Sequence, residues 1–278
     1  MTNVAVLVVS CDRYSDLWRP FFELFRLRWP DCPFPIFLGS NWKQCEEPGV
    51  VTINVGDDLG WGANLRGMLS RVGFEHVIIF LEDFFLLRPV RTEEVIRMLD
   101  IAISCDLACL RLKFKPRSRP SYPYKQYENL GVLKKGCNSR ISTQVSIWDT
   151  EYLMKITHPT FTAWDFETAG TIVSDRIPGE ICSVYDSVIY YRHAVQAGRW
   201  LETGLRICEE AGIQIAATER GLCHQPSDGW PLPTSLHNVK VIIHKVLPAS
   251  VSLLIRRSKL KCRLWRLGML KAPAGHTP

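Results

Sequence analysis

At 278 residues, with 46% hydrophobic and 22% charged side chains, the chain can bury a sizeable core and reads as one large domain or two small ones. Its net charge of +6 is unevenly placed: from Gly229 to Pro278 there is no Asp or Glu and there are nine Lys or Arg, so residues 1–228 carry 25 basic and 28 acidic side chains. A slightly acidic body argues against a nucleic-acid-binding core, which needs positive charge on the folded domain itself. Ten cysteines without a C-x-x-C pair argue against zinc ribbons, thioredoxin chemistry and a small disulfide scaffold.

Reduced thiols and the lack of a basic, small-residue-terminated leader around Val4 to Val9 make a cytoplasmic body the expectation. Val4 to Val9 is a continuous apolar run closed by Ser10-Cys11-Asp12-Arg13, which predicts a buried first strand ending in a polar loop. A helix capped by Asp16 follows, with Leu17, Trp18, Phe21, Phe22, Leu24 and Phe25 on its apolar face and Pro30 as its stop. Pro35 to Gly39 and Val50 to Val55 read as strands, and Gly60 to Leu69 opens a helix. Val77 to Phe80 reads as a strand that ends on Glu82 and Asp83. Thr92 to Ile103 has helical spacing, and Asp106 to Leu112 reads as a strand. Between Lys113 and Asn138, three prolines, four aromatics and seven Lys or Arg predict a long mobile loop. Ile141 to Trp148 is a strand candidate, Tyr152 to Ile156 a short helix and Thr162 to Gly170 a helix start. The order predicts an α/β fold with a mostly parallel central sheet in a single domain, residues 1–245, followed by a basic tail, residues 246–278.

In that tail, Leu253, Leu260, Leu264 and Leu267 share a helical face among six basic residues between Leu253 and Leu267. Such a helix either lies in a bilayer interface, drawn to anionic lipid, or packs on the domain with its basic face in water. It is too short in apolar residues to span.

Adjacent carboxylates at the end of an apolar strand are costly unless a cation, a base or water meets them, and strand ends of α/β sheets are where ligands bind. Glu82 and Asp83 are therefore candidate ligands for Mg²⁺ or Mn²⁺, with His224 as a third from across the sheet. Strand alternation points neighbours to opposite faces unless the chain turns there. In Trp164-Asp165-Phe166-Glu167 the aromatics supply an apolar wall that stacks sugars and raises a carboxylate's pKa toward that of a useful base. Glu167 is the preferred base and Asp165 the fallback; both are also compatible with plain helix-dipole partners.

Four stretches taken in order, Val8 to Trp18, Leu81-Glu82-Asp83-Phe84, Gln144 to Trp148 and Trp164 to Glu167, resemble bacterial glycosyltransferases of GT-A type that build surface polysaccharide. The resemblance covers about residues 4–230. It implies a GT-A-like, Rossmann-type sandwich and a nucleotide-sugar donor, with Ser10, Asp12, Arg13, Trp61, Asn64, Arg66 and Glu82 on the donor side. It places Gln144, Trp148 and Trp164 on the sugar or acceptor side; Glu167, Asp165 and Asp83, read above from the residues themselves, are the candidates for the chemistry. The acceptor implied is a lipid-linked or polysaccharide glycan at the inner face of the membrane, and transfer inverts through a carboxylate base. Where the family's metal motif is Asp-x-Asp, this chain has Glu82-Asp83-Phe84, so Arg66, Lys113 or Lys115 are alternative partners for the leaving diphosphate. A nucleotidyltransferase falls behind because Ser10 to Asp16 has no glycine, a dinucleotide oxidoreductase because no G-x-G-x-x-G follows a strand; a non-catalytic carbohydrate-binding protein stays open.

Overall fold

The computed structural model describes residues 3–215, 220–223, 258 and 260–270, in two compact units, residues 1–222 and 223–278. Strand β1 (Val4–Val9) is buried along its whole length, as a run without polar alternation requires when both faces are covered. A 3₁₀ turn, Asp12–Leu17, leads into helix α1 (Trp18–Arg28). Its buried Phe21 and Phe25 meet Phe80 edge-on, with ring centroids 6.2 and 5.8 Å apart. Asp16 does not cap this helix; the N-cap is Leu17, and Asp16 pairs instead with Arg220.

Strands β2 (Ile36–Ser40) and β3 (Val50–Asn54), helix α2 (Trp61–Val72) and strand β4 (His76–Leu81) follow. After β4 come β5 (Phe84–Leu86), α3 (Thr92–Ser104) and β6 (Leu107–Arg111). The segment expected to be a mobile loop is structured: it holds a 3₁₀ turn at Pro116–Ser118 and strands β7 (Tyr122–Tyr124) and β8 (Tyr127–Val132). Tyr124, Leu130 and Val132 are buried there, and Pro123 sits on an edge strand, where its missing N–H breaks no inner ladder. Prolines and charges masked this short alternating pair.

The strand expected over Ile141 to Trp148 is confined to β9 (Ser146–Asp149); Ile141 to Val145 runs as irregular chain. Helices α4 (Thr150–Ile156) and α5 (Ala163–Ser174), strands β10 (Glu180–Val184), β11 (Tyr191–His193), β12 (Val195–Gln196) and β13 (Arg199–Trp200), and helix α6 (Glu202–Glu210) complete the body. Nine strands form one sheet in the order β3-β2-β1-β4-β9-β6-β10-β8-β7. Only β9 and β8 run against the rest, so the sheet is mixed but mostly parallel, as expected. The fold class is α/β.

Strand order reverses between β1 and β4, and their parallel register pairs Val9 with Leu81. The two chains therefore leave the sheet side by side, bringing Ser10 next to Glu82. A crevice at the carboxyl ends of strands, where the order reverses, is where open α/β sheets bind ligands.

In the second unit, residues 260–266 are helical, with Leu264 buried and Lys261, Arg263 and Arg266 exposed. Among the described residues no helix is long and apolar enough to cross a membrane, and each described cysteine is a free thiol.

Candidate active site

A cavity of about 400 Å³ opens at the reversal point. Its floor is the end of β4, with Leu81, Glu82 and Asp83. One wall is the chain leaving β1, with Ser10, Cys11, Arg13 and Tyr14, and another is the start of α2, with Gly60, Trp61 and Asn64. Ala163 at the start of α5, and Val195 and Ala197 of the β12–β13 hairpin, complete it.

The sequence places each of these by local rules. The chain turns at Glu82 and Asp83 before β5 begins, so alternation is interrupted and both residues line one cavity. Asp83 Oδ2 lies 3.0 Å from His193 Nδ1, and its backbone oxygen accepts from Ala194 N at 2.8 Å. Strand β5 pairs antiparallel with β11, Phe84 opposite His193, and this fixes the pair. Ser10 Oγ accepts from Trp18 Nε1 at 2.8 Å, which holds the β1 exit against α1. Asp58, on the cavity wall, accepts from Gly60 N at 3.1 Å and from Asn64 Nδ2 at 2.8 Å, tying down the first turn of α2.

Glu82 is buried, and its pKa is pushed up to about 8, first by burial and then by the neighbouring Asp83 charge. Between about pH 4.5 and 8 the folded protein therefore keeps a proton that the unfolded chain has released. Stability then falls as pH rises through this window, by up to about 1.4 kcal/mol per pH unit. Glu82→Gln removes that slope: denaturant midpoints from pH 5 to 8 should decline less in the variant than in the wild type, and equal slopes would refute the assignment.

Several expected residues are not brought to the cavity. Asp12 turns toward the loop after β2, where its carboxylate accepts from the backbone N–H groups of Asn41 (2.9 Å), Trp42 and Lys43. Arg66 Nη1 donates to Met154 O and Thr157 O, at 2.6 and 2.9 Å, closing the end of α4. Trp148 is 2% exposed and packs with Phe166 in the core, so it presents no face to a sugar. Asp165 forms a capping box with Thr162 at the start of α5. Trp164 beside it is 75% exposed. His224 lies outside the described residues, and among those described no three His, Cys, Asp or Glu side chains are grouped to hold a metal ion.

Glu167 differs most from its expected environment. Burial pushes its carboxyl up, but Lys115 and hydrogen bonds from Thr143 and Ser142 outweigh it, and its pKa is lowered rather than raised. Its Oε1 accepts from Ser142 Oγ, Thr143 N and Thr143 Oγ1 at 2.9 to 3.1 Å, and Oε2 lies 3.6 Å from Lys115 Nζ. Gln144 accepts from Tyr191 O–H at 2.6 Å, and Lys113 donates to Tyr191 O at 3.1 Å. This polar cluster holds the 142–144 segment between α5 and β11. Burial and then Arg192 lower the Lys113 pKa to about 8.

His193 and Arg220 escaped the sequence reading because their partners, Asp83 and Asp16, lie far along the chain; Asp58 and the β12–β13 hairpin, whose own bonds are local, escaped it as well. Tyr14 lies within the Val8 to Trp18 stretch, where its neighbours Ser10 and Arg13 were the available signal.

No protein-family model and no curated protein matches the sequence. Among solved structures, S. aureus TarS 1–349 is similar at 13% identity and a TM-score of 0.47, over 70% of this chain and 61% of that one. TarS 1–349 in complex with UDP-GlcNAc is similar at 14% identity and a TM-score of 0.48, over 71% and 60%. HddC from Yersinia pseudotuberculosis is similar at 13% identity and a TM-score of 0.45, over 76% of this chain and 100% of that one. The chain spans about 60% of the length of the TarS fragment it matches. These likenesses are of fold.

Proposed function

We propose that the chain is a glycosyltransferase that takes a sugar from a nucleotide-sugar donor bound in the reversal-point cavity and passes it to a glycan or lipid-linked acceptor at the inner face of the membrane. The observation that carries this is the make-up of that cavity. Two carboxylates form its floor, the amino ends of two 12-residue helices, α2 and α5, meet at its rim, and Tyr14, Trp61 and Arg13 line its walls. Helix amino ends and an arginine favour the negative charge of a diphosphate, and the aromatic walls suit flat rings.

Asp83 is the acid on which transfer depends in this reading. Asp83, with Glu82 once it gives up its proton, would hold Mg²⁺ or Mn²⁺ together with substrate phosphates, and such an ion would offset the charge of the departing diphosphate. Lys113, Lys115 and Arg66 are committed to backbone and side-chain partners elsewhere, so Arg13 is the cationic side chain proposed to face the donor. The basic 260–266 helix is proposed to attract an anionic membrane surface.

The test is incubation of the purified chain with a panel of nucleotide sugars, with and without Mn²⁺, reading release of nucleoside diphosphate. Slow donor hydrolysis by at least one donor is expected. No release and no binding by calorimetry across the panel would overturn the reading.

A further inference from the structure

We propose that Arg220 is a strut that sets the width of the cavity, and so a positioning residue for the donor rather than a group that touches it; as a statement about donor binding this rests on the glycosyltransferase reading. The side chain joins two walls that are far apart in sequence. Its Nε and Nη2 donate to the two carboxylate oxygens of Asp16 at 2.6 and 2.7 Å, and Nη2 also donates to Arg13 O at 2.6 Å. The guanidinium lies 4.4 Å from the centre of the Tyr14 ring. All of these belong to the 3₁₀ turn, which supplies Arg13 and Tyr14 to the cavity.

On the other side, Nη1 donates to Gly198 O at 3.3 Å. Gly198 and Ala197 are the two turn residues of the β12–β13 hairpin, with φ of 76° and 50°, the left-handed pair that a tight two-residue hairpin requires. That hairpin supplies Val195 and Ala197 to the cavity. The backbone around Arg220 is itself fastened to the hairpin: Trp200 N donates to Gly221 O at 3.1 Å, and Leu222 bridges Trp200 in parallel.

A planar guanidinium is the side chain suited to this task. Its fork grips a carboxylate in two places while its face lies on an aromatic ring, and an ammonium cannot do both. The Arg220 side chain is 12% exposed and that of Asp16 35%, so the pair is partly shielded from competing water. With Arg220 in place, Tyr14 and the hairpin are held at a fixed separation across the cavity. Without it, the turn keeps its bonds to the loop after β2 and the hairpin keeps its backbone bonds, but the direct tie between the two walls is lost and the donor must set their separation on binding.

The experiment compares wild type, Arg220→Lys, Arg220→Ala and Asp16→Asn by donor KM and kcat, nucleoside-diphosphate affinity and amide hydrogen exchange. The strut predicts a rise in donor KM and Kd of about tenfold or more for each variant, with kcat within a few-fold of wild type. It also predicts faster exchange confined to residues 12–18 and 195–200, with Arg220→Lys failing to rescue. Asp16→Asn keeps the arginine and guards against a folding defect of the arginine variants. Unchanged exchange in both segments would overturn the strut whether or not a donor is found, as would an unchanged donor Kd in a wild type that binds. A wild type that binds no nucleotide, with exchange still loosened in the variants, would sink the glycosyltransferase reading and leave the strut standing as a device of the fold.

Discussion

Asp83→Asn is expected to lower sugar transfer by about 10²- to 10³-fold while leaving the melting temperature near that of the wild type. The substitution keeps size and a hydrogen-bonding oxygen, and the backbone bonds that hold the turn, from Ala194 N and Phe85 N to Asp83 O, do not involve the side chain. What is lost is a negative charge on the cavity floor, 3.0 Å from His193 and beside the buried Glu82. Glu167→Gln gives the control. Its carboxylate is saturated by Ser142, Thr143 and Lys115, so its replacement should cost about 2 kcal/mol of stability, as the loss of charge-assisted hydrogen bonds does. Transfer by the folded Glu167→Gln protein should stay within about tenfold of wild type. Measured side by side, a large rate loss in Glu167→Gln with little in Asp83→Asn would exchange the two roles and remove the acidic floor from the mechanism.

Legibility from sequence followed the range of the interactions. The run Val4 to Val9 could only be a strand buried on both faces, and Phe21, Phe22 and Phe25 could only be the inner face of a helix, because periodicity is a local property. Glu82 and Asp83 were legible for the same reason: ionisable groups at the end of an apolar run are conspicuous within a window of ten residues. The turn that sends both into one cavity was not legible, since it exists because β5 leaves the sheet to pair with β11, more than 100 residues on. Arg66 and Asp12 were misread because a polar side chain carries no local mark of whether it faces a ligand or a backbone end. Arg66 was claimed by the carbonyls of α4 and Asp12 by the amides after β2. Glu167 was read as a base from the aromatics around it and Trp148 was placed on the sugar side by resemblance alone, yet Trp148 lies on a central strand and Glu167 faces the 142–143 backbone.

Gly62→Ala is expected to cost about 3 kcal/mol of stability or more, and to weaken donor binding in whatever protein still folds. Gly62 sits in the first turn of α2, where alanine would ordinarily favour the helix. Its backbone N donates to Phe161 O at 2.8 Å, so the helix start lies directly on the 158–161 turn that precedes α5. A Cβ there would run into the backbone oxygen of His158, with Phe161 O and N at 3.0 and 3.1 Å. Backbone atoms cannot swing aside as a flexible side chain can. At Gly39 the obstructing atoms belong to the Met68 side chain, which can change rotamer, so Gly39→Ala should cost less. The consequence for the site follows from what the contact joins: Trp61 and Ala163, on either side of it, both line the cavity. Forcing α2 and α5 apart separates the two helix amino ends proposed to receive the diphosphate. Thermal unfolding of Gly62→Ala beside Gly39→Ala, with calorimetric nucleoside-diphosphate affinity below both transitions, measures both effects. A Gly62→Ala protein as stable as Gly39→Ala and binding as tightly as wild type would show that neither the stability of the fold nor donor binding depends on this close approach.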